Sequence, residues 1–213
     1  MKSNFIFVIC ISFLFSFNSK ELLYDLTKNK SWKLINEDDK KIYEYKNIDL
    51  DCKYFKIEKN ITQDPKLVFE SIKNIAQYNS IISNKNLYSN LVYVNNDTLY
   101  GYQLIKNSIP FTRDRQYIFK MFEVSDDRID WYILESQNNF SKKLSDSDAK
   151  ILTLGAGSWK IEYLNDNIVL INKIYVDDEV NMPDMLIQKF RIGNVVDIFN
   201  DVLNSVNDKE KDG

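Results

Sequence analysis

Hydrophobic and polar residues alternate through much of the middle of the chain, which is the pattern of strands that bury one face. Segments with this pattern predict strands over residues 41–45, 53–59, 87–94, 98–106, 116–124, 129–135, 151–163 and 167–176. Short polar breaks at 95–97, 125–127 and 165–167 have the length and composition of hairpin turns. The pattern therefore predicts a curved antiparallel sheet of about eight strands.

Helical spacing appears near the start of the chain and again between the second and third predicted strands. Leucines on one side predict a short helix over residues 21–30. The pair Asp64-Pro65 places an N-cap acid before a proline at the first helical position, so a second helix is predicted over 65–76.

A long amphipathic helix is predicted over residues 183–206, followed by a charged tail over 207–213. Its apolar residues fall on one stripe, which consists of Met185, Ile192, Val196, Phe199, Leu203 and Val206. One long helix against one face is the simplest cover for a large antiparallel sheet. The chain is therefore predicted to form one α+β domain over residues 20–206, a curved antiparallel sheet wrapped around a long C-terminal helix.

The N-terminus has the pattern of a targeting segment. Lys2 precedes an uncharged apolar run over residues 5–17, which is the length of a signal-peptide core and short for a membrane span. We expect residues 1–19 to be a signal peptide cleaved after Ser19, and the protein to be secreted or periplasmic. Phe17 is large for the −3 position of a cleavage site, so an uncleaved signal that anchors the protein in a membrane stays open.

Composition excludes several classes of function. The net charge of −3 and the absence of a Lys/Arg block argue against nucleic-acid binding. The chain has no histidine, so catalytic triads of the Ser-His-Asp or Cys-His kind cannot be built. Cys10 lies in the segment expected to be removed, which leaves Cys52 without a partner for a disulfide or a zinc site.

The acidic run 177–179 is the strongest candidate for a metal site. It lacks the further spaced oxygen ligands and the turn glycine of a calcium loop, so a solvated turn is the favoured interpretation. We expect no metal and no cofactor.

Three stretches of sequence, taken in order, point to a family. They are Pro-Phe-Thr-Arg-Asp at 110–114, Gly-Ser-Trp-Lys-Ile at 157–161, and the strand, acidic turn and proline at 174–183. In this order and spacing they resemble the START (StAR-related lipid-transfer) family, within the helix-grip or Bet v 1-like fold. The resemblance covers residues 32–206.

The resemblance implies a tunnel between the sheet and the last helix that encloses one sterol, phospholipid, sphingolipid or other apolar molecule. Some relatives carry a buried arginine six residues beyond the arginine of the Arg-Asp pair. Counted from Arg113, this position is Phe119, so the tunnel is expected to be more apolar here. Arg113 and Asp114 are expected to form a structural ion pair at a strand end, with direct ligand contact as the alternative.

Alternation along the strands assigns the side chains that face the tunnel. Lys120, Lys160 and Lys173 prefer water, so their immediate strand neighbours point inward. This places Tyr163 and Ile174 on the inward face together with the candidate ligand contacts. With the helix stripe included, those contacts are Tyr117, Phe119, Met121, Trp159, Ile161, Leu170, Asn172, Met185, Ile192 and Val196.

Asn172 is the polar member of this set. A buried amide needs a hydrogen-bond partner, which is either another core group or a ligand hydroxyl or headgroup.

The expected function is binding, and by extension transfer, of a lipid or other hydrophobic small molecule by a monomer that contacts membranes transiently. We expect no enzymatic activity. Two alternatives remain: a cyclase or aromatase that uses the same cavity, which would need a positioned acid or base, and a structural envelope protein whose cavity has closed.

Overall fold

The structure of the chain, a computed structural model, describes residues 18–106, 113–137, 148–176 and 184–212. Over residues 184–191 and 210–212 it describes the helical backbone alone. The predictions for the apolar run before Asn18, the start of the first motif at 110–112 and the acidic turn at 177–179 lie outside the described residues.

Four helices are described, together with a 3₁₀ turn at Ile75–Gln77. The helices are α1 (Ser19–Thr27), α2 (Pro65–Lys73), α3 (Tyr78–Ile81) and α4 (Asp184–Asp212). The strands are β1 (Lys33–Glu37), β2 (Lys41–Asn47), β3 (Cys52–Ile61), β4 (Leu87–Asn95), β5 (Thr98–Ile105), β6 (Arg115–Ser125), β7 (Arg128–Ile133), β8 (Lys150–Ile151), β9 (Gly155–Leu164) and β10 (Asn167–Val176).

The strands form one sheet in the order β1-β2-β3-β10-β9-β7-β6-β5-β4. Every neighbouring pair along this order is antiparallel, and the short β8 pairs in parallel with the start of β6. The sheet and the long C-terminal helix confirm the predicted α+β helix-grip architecture. No helix within the described ranges is both long enough and apolar enough to cross a membrane.

Several predicted boundaries were wrong for local reasons. The predicted strand over 151–163 divides into β8 and β9, because after Ile151 the backbone leaves the ladder before re-entering at Gly155. The predicted second helix ends at Lys73 because Asn74 leaves helical geometry at φ −80° and ψ 58°. The charged residues after Val206 extend α4 to Asp212, since they include no helix breaker before Gly213.

The sheet is covered on both faces. On one face, α2 and the second half of α4 pack on apolar residues of the central strands and form the main core. On the other face, α1 inserts three leucines against a smaller cluster that includes Tyr54, Tyr132 and Tyr175. The predicted leucine side of α1 therefore packs into a second core that is separate from the main one.

The start of α1 is fixed by its own residues. Asn18 is the N-cap: its Oδ1 accepts hydrogen bonds from the backbone nitrogens of Lys20 and Glu21, each at 3.0 Å. The Glu21 carboxylate in turn accepts from the Asn18 nitrogen at 3.2 Å, which completes a capping box. Ser19 is buried, and its Oγ donates to the Thr153 carbonyl at 3.1 Å and accepts from the Gly155 nitrogen at 3.2 Å.

Candidate functional site

A cavity of about 70 Å³ lies between the sheet and α4. Strands β5, β6, β7, β9 and β10 form its floor, α4 forms its roof, and α3 closes one side. Its described lining consists of Tyr78, Gln103, Tyr117, Phe119, Met121, Trp131, Trp159, Asn172, Ile174, Val195 and Ile198.

The structure brings five of the ten predicted contact residues together in this lining, and they are Tyr117, Phe119, Met121, Trp159 and Asn172. Ile161 and Leu170 are buried in the same core without lining the cavity. Ile192 and Val196 are half-buried on α4 and pack against that core. The side chain of Met185 lies outside the described part of the chain. Whether any of the ten residues contacts a ligand stays a prediction.

The placement of Tyr163 was wrong. Its side chain is 66% exposed although it shares the strand face of Trp159 and Ile161. Tyr163 lies one residue before the end of β9, next to the β9–β10 turn, where no described element covers its side chain.

Aromatic rings form a continuous wall on the sheet side of the cavity. The ring centroid of Phe119 lies 6.1 Å from that of Tyr117 and 5.9 Å from that of Trp131. Trp159 stacks on Phe199 of α4 with a centroid separation of 5.6 Å. Edge-to-face and stacked pairs at these distances are favourable, so the wall is held in one arrangement.

Two glycines give these rings their space. A Cβ atom at Gly101 would overlap the ring of Phe119, and one at Gly157 would overlap the indole of Trp131. Gly157 is the glycine of the Gly-Ser-Trp stretch, and it pairs with Trp131 across β7 and β9. This stretch therefore has a packing function: a missing side chain on one strand admits a large one on the next.

Two tyrosine hydroxyls at the cavity have internal partners. Tyr117 donates to Gln103 Oε1, and Gln103 Nε2 donates to Ser89 Oγ at 3.0 Å. Tyr78 donates to the carbonyl of Ile72 in the last turn of α2. Burial raises the pKa of both tyrosines far above the ordinary value of 10.0, so both stay protonated at any physiological pH.

Asn172 differs from these groups. It is 2% exposed, and its Nδ2 makes one long hydrogen bond of 3.4 Å to the carbonyl of Ser158. Among the described residues, none donates a hydrogen bond to its Oδ1. A buried amide oxygen without a donor is uncommon in folded proteins.

Polar contacts fix α4 to the segment that follows α3. Asp201 Oδ2 accepts from the backbone nitrogen of Ser83 at 2.7 Å and from its Oγ at 2.9 Å. Asn84 Nδ2 donates to Asn194 Oδ1 at 2.9 Å, about two turns nearer the start of α4. These bonds lie beside the cavity and hold its roof against its side wall.

Arg113 is exposed and Asp114 is half-buried at the entrance to β6. The Asp114 carbonyl accepts from the Lys150 nitrogen at 2.7 Å, which begins the pairing of β8 with β6. The ion pair between the two side chains stays a prediction. In the described ranges, no group of His, Cys, Asp and Glu side chains has the arrangement of a metal site.

Sequence reasoning missed several lining residues, namely Tyr78, Gln103, Trp131, Val195 and Ile198. Trp131 could have been found, because it alternates with Ile129 and Ile133 on a predicted strand. Tyr78 comes from a short helix that periodicity does not reveal, and the two α4 residues lie to one side of the predicted stripe.

No family model matches the sequence, and a search of curated proteins finds no match. Solved structures do match. A STAR-related lipid transfer protein from Xanthomonas axonopodis aligns with a TM-score of 0.67 at 12% identity, over 84% of this chain and 99% of that one. Human StAR-related lipid transfer protein 5 aligns with a TM-score of 0.66 at 9% identity, over 90% and 93%.

An enzyme is also among the similar structures. The Zhui aromatase/cyclase from Streptomyces sp. R1128 aligns with a TM-score of 0.52 at 13% identity, over 72% of this chain and 93% of that one. Lipid-transfer proteins and an aromatase/cyclase thus share this architecture, and fold alone does not separate them. The sheet order, the long last helix and these alignments together show that the chain has the helix-grip fold of START domains.

Proposed function

We propose that this protein binds a lipid or other apolar small molecule between the sheet and α4 and carries it through an aqueous compartment. The observation behind the proposal is the cavity itself, whose described wall is mainly aromatic and aliphatic. Concave apolar sites with a few polar groups are the usual form of small-molecule sites. The likeness to lipid-transfer proteins of the same fold supports this proposal.

The volume of the cavity sets a condition on binding. At about 70 Å³ it is well below the roughly 300–1,000 Å³ of typical ligand pockets. A lipid-sized molecule therefore requires α4 to move away from the sheet, which breaks the Ser83–Asp201 and Asn84–Asn194 contacts or bends the helix between them. Burial of apolar ligand surface, at about 25 cal/mol per Å² before ordering costs, would drive this movement.

The cavity chemistry argues against the enzymatic alternative. The described lining contains no Asp, Glu, Lys or Arg, and the chain has no His. Its two tyrosines have raised pKa values, so neither can act as a base near neutral pH. We therefore propose a binding protein without catalytic activity. The small volume is the observation that favours the other alternative, a structural protein with a closed cavity.

A cavity-filling substitution separates the binding protein from the closed structural protein. The probe is N-phenyl-1-naphthylamine, a neutral apolar dye whose fluorescence rises on burial. We expect wild-type protein to bind it and Val195→Phe to bind at least about tenfold more weakly, because the added ring occupies the cavity. Val92→Phe is the matched control, since Val92 is half-buried in a separate cluster away from the cavity.

Two results would contradict the binding proposal. One is wild-type protein that takes up no dye and no lipid from its own host, as judged by native mass spectrometry. The other is equal dye affinity for Val195→Phe and Val92→Phe, which would place the dye at another surface.

We also propose that the apolar segment at residues 5–17 directs export, that the protein works as a monomer, and that it meets membranes only while loading or releasing its ligand. N-terminal sequencing and cell fractionation test the first point. Soluble cytoplasmic protein that retains Met1 would contradict it. Sedimentation with and without neutral phosphatidylcholine vesicles tests the other two points.

A further inference from the structure

The surroundings of Asn172 are apolar on both sides. Its directly opposite neighbours across the sheet are Trp159 on β9 and Ile57 on β3, and both are buried. The amide therefore projects from an apolar floor into the cavity. Ile57 has no side-chain donor, and among the described residues the Trp159 indole makes no hydrogen bond to the amide, whose one bond goes to the Ser158 carbonyl.

The hydrogen-bonding capacity of this amide is largely unused. Asn carries two N–H donors and a carbonyl oxygen with two lone pairs. One N–H makes the long contact with the Ser158 carbonyl, which leaves one N–H and the whole of Oδ1 open among the described residues. A hydroxyl group matches this pair, because it can donate to Oδ1 and accept from the free N–H at the same time.

The other polar groups at the cavity are not available in this way. Gln103 and Tyr117 bond to each other on adjacent strands, and Gln103 also bonds to Ser89. Tyr117 on β6 lies three strand spacings from Asn172 and Gln103 on β5 lies four, which is about 14 Å and about 19 Å across the sheet. Between them the floor carries Trp131 and Met121. A ligand hydroxyl at Asn172 would thus leave an apolar body to lie along this floor.

The side chains that line the cavity also restrict the charge that a ligand can carry. No lining residue within the described ranges is ionisable near neutral pH, so a carboxylate, phosphate or ammonium group would be buried without a counter-charge. A neutral group avoids this cost.

Building on the proposed binding function, we propose that the ligand is a neutral lipid alcohol whose hydroxyl group bonds to the Asn172 side chain, with its hydrocarbon body along the aromatic floor. Asn172 is then a specificity residue. It selects alcohols over ethers and hydrocarbons of equal length, and the absence of a charged side chain from the described lining selects against fatty acids and amines.

The test uses four probes with the same twelve-carbon chain: 1-dodecanol, dodecyl methyl ether, dodecanoate and dodecylamine. Affinities are measured at pH 7 by displacement of N-phenyl-1-naphthylamine. We expect wild-type protein to prefer the alcohol over the ether by roughly three- to tenfold, the effect of one net hydrogen bond. Asn172→Leu should reduce this ratio to about one, while the matched surface variant Asn60→Leu retains it.

Thermal unfolding provides a second readout. Replacing an underused buried amide with an apolar side chain of similar size should leave the melting temperature unchanged or raise it. A fall of more than about 4 °C in Asn172→Leu would show that the amide has a structural partner, and would overturn the inference.

The outcomes distinguish the two proposals. If wild-type protein binds none of the four probes and not the dye, the proposed function fails and this inference fails with it. If it binds the dye and all chains without preferring the alcohol, or prefers dodecanoate or dodecylamine, the proposed function stands and the assignment of Asn172 is wrong.

Discussion

Two buried asparagines on opposite faces of the sheet differ in their hydrogen bonds. On the α1 face, Asp25 Oδ2 accepts from Lys30, Asn47 and Tyr54, each at 2.9 Å. Asn47 is occupied at both ends, because its Oδ1 also accepts the backbone nitrogens at the start of the β2–β3 turn. On the α4 face, the Asn172 side chain makes one hydrogen bond to a described residue, at 3.4 Å.

This difference separates structural polar groups from candidate ligand-binding ones. Two asparagines with similar burial, 8% exposed for Asn47 and 2% for Asn172, have different partners. A network in which every polar group has a hydrogen-bond partner holds secondary-structure elements together, as Asp25 holds α1 to β2 and β3. An amide with unused hydrogen-bonding groups beside a cavity adds nothing comparable to the fold, so its presence at a buried position calls for a different explanation.

The largest effect is expected from breaking the hydrogen-bond network around Asp25. Asp25→Ala removes the shared acceptor of three donors and leaves Tyr54 and Asn47 with unpaired hydrogens in a buried cluster. We expect a loss of about 2–4 kcal/mol in the free energy of unfolding, measured by urea denaturation. The control is Asp126→Ala, in the exposed β6–β7 turn. A loss for Asp25→Ala no larger than that of the control would refute the structural assignment.

The dependence of folding stability on pH gives a second test of the Asp25 network. Burial pushes the pKa of Asp25 upward, but the hydrogen bonds from Lys30 and Tyr54 and the charge of Lys30 outweigh it, so the pKa lies below the ordinary 3.8. A lowered pKa in the folded state stabilises the fold above pH 3.8, and this contribution is lost as the pH falls through the folded value. Asp25→Asn should therefore reduce the slope of stability against pH below about pH 4.

A smaller effect is expected from closing the space under Trp131. Gly157→Ala should cost roughly 1–3 kcal/mol, because the new methyl group overlaps the indole and forces the wall of the cavity to shift. Gly193→Ala is the matched control. No neighbouring atom of the described residues lies within 4 Å of a Cβ at this position of α4, so the same substitution should stabilise the helix by up to about 1 kcal/mol. If thermal unfolding shows that both substitutions stabilise the protein, or that both destabilise it, this explanation from packing is wrong.

A substitution in the roof of the cavity is expected to change stability least, but to change the rate at which a ligand is released. Asp201→Asn weakens the charge-assisted bonds to Ser83, so we expect a loss of about 1 kcal/mol and faster release of N-phenyl-1-naphthylamine in stopped-flow measurements. Asp197→Asn is the control one turn away. Burial and the neighbouring Asp201 raise the pKa of Asp197, so neutralising it should stabilise the protein at pH 7. Unchanged release from Asp201→Asn would show that this contact does not gate the cavity.

The parts of the fold that the sequence predicts well are those with strong periodicity. Period-two alternation in β6, β9 and β10 correctly grouped Phe119, Trp159 and Asn172 on one face, because lysines between them mark the other face. Alternation failed for Tyr163, since it assigns a face but not whether an element covers that face.

The remaining parts depend on tertiary contacts that no local pattern carries. The edge strand β1 is exposed along its whole length, so its sequence has no buried face to reveal it. Tyr78 reaches the cavity from a four-residue helix, and its hydroxyl donates a hydrogen bond to the carbonyl of Ile72, outside that helix. The volume of the cavity depends on the distance between α4 and the sheet. No hydrophobic periodicity in the sequence predicts this distance.

The capping box of α1 has a consequence for maturation. A peptidase that cuts after Ser19 would remove the N-cap and a serine that bridges Thr153 and Gly155, so the released domain would begin with a frayed helix. A cut just before Asn18 has the opposite result. The new terminal ammonium would replace the Asn18 amide nitrogen, which already lies 3.2 Å from the Glu21 carboxylate. The charge of the end created by processing would then be neutralised by Glu21, the acidic partner of Asn18 in the capping box.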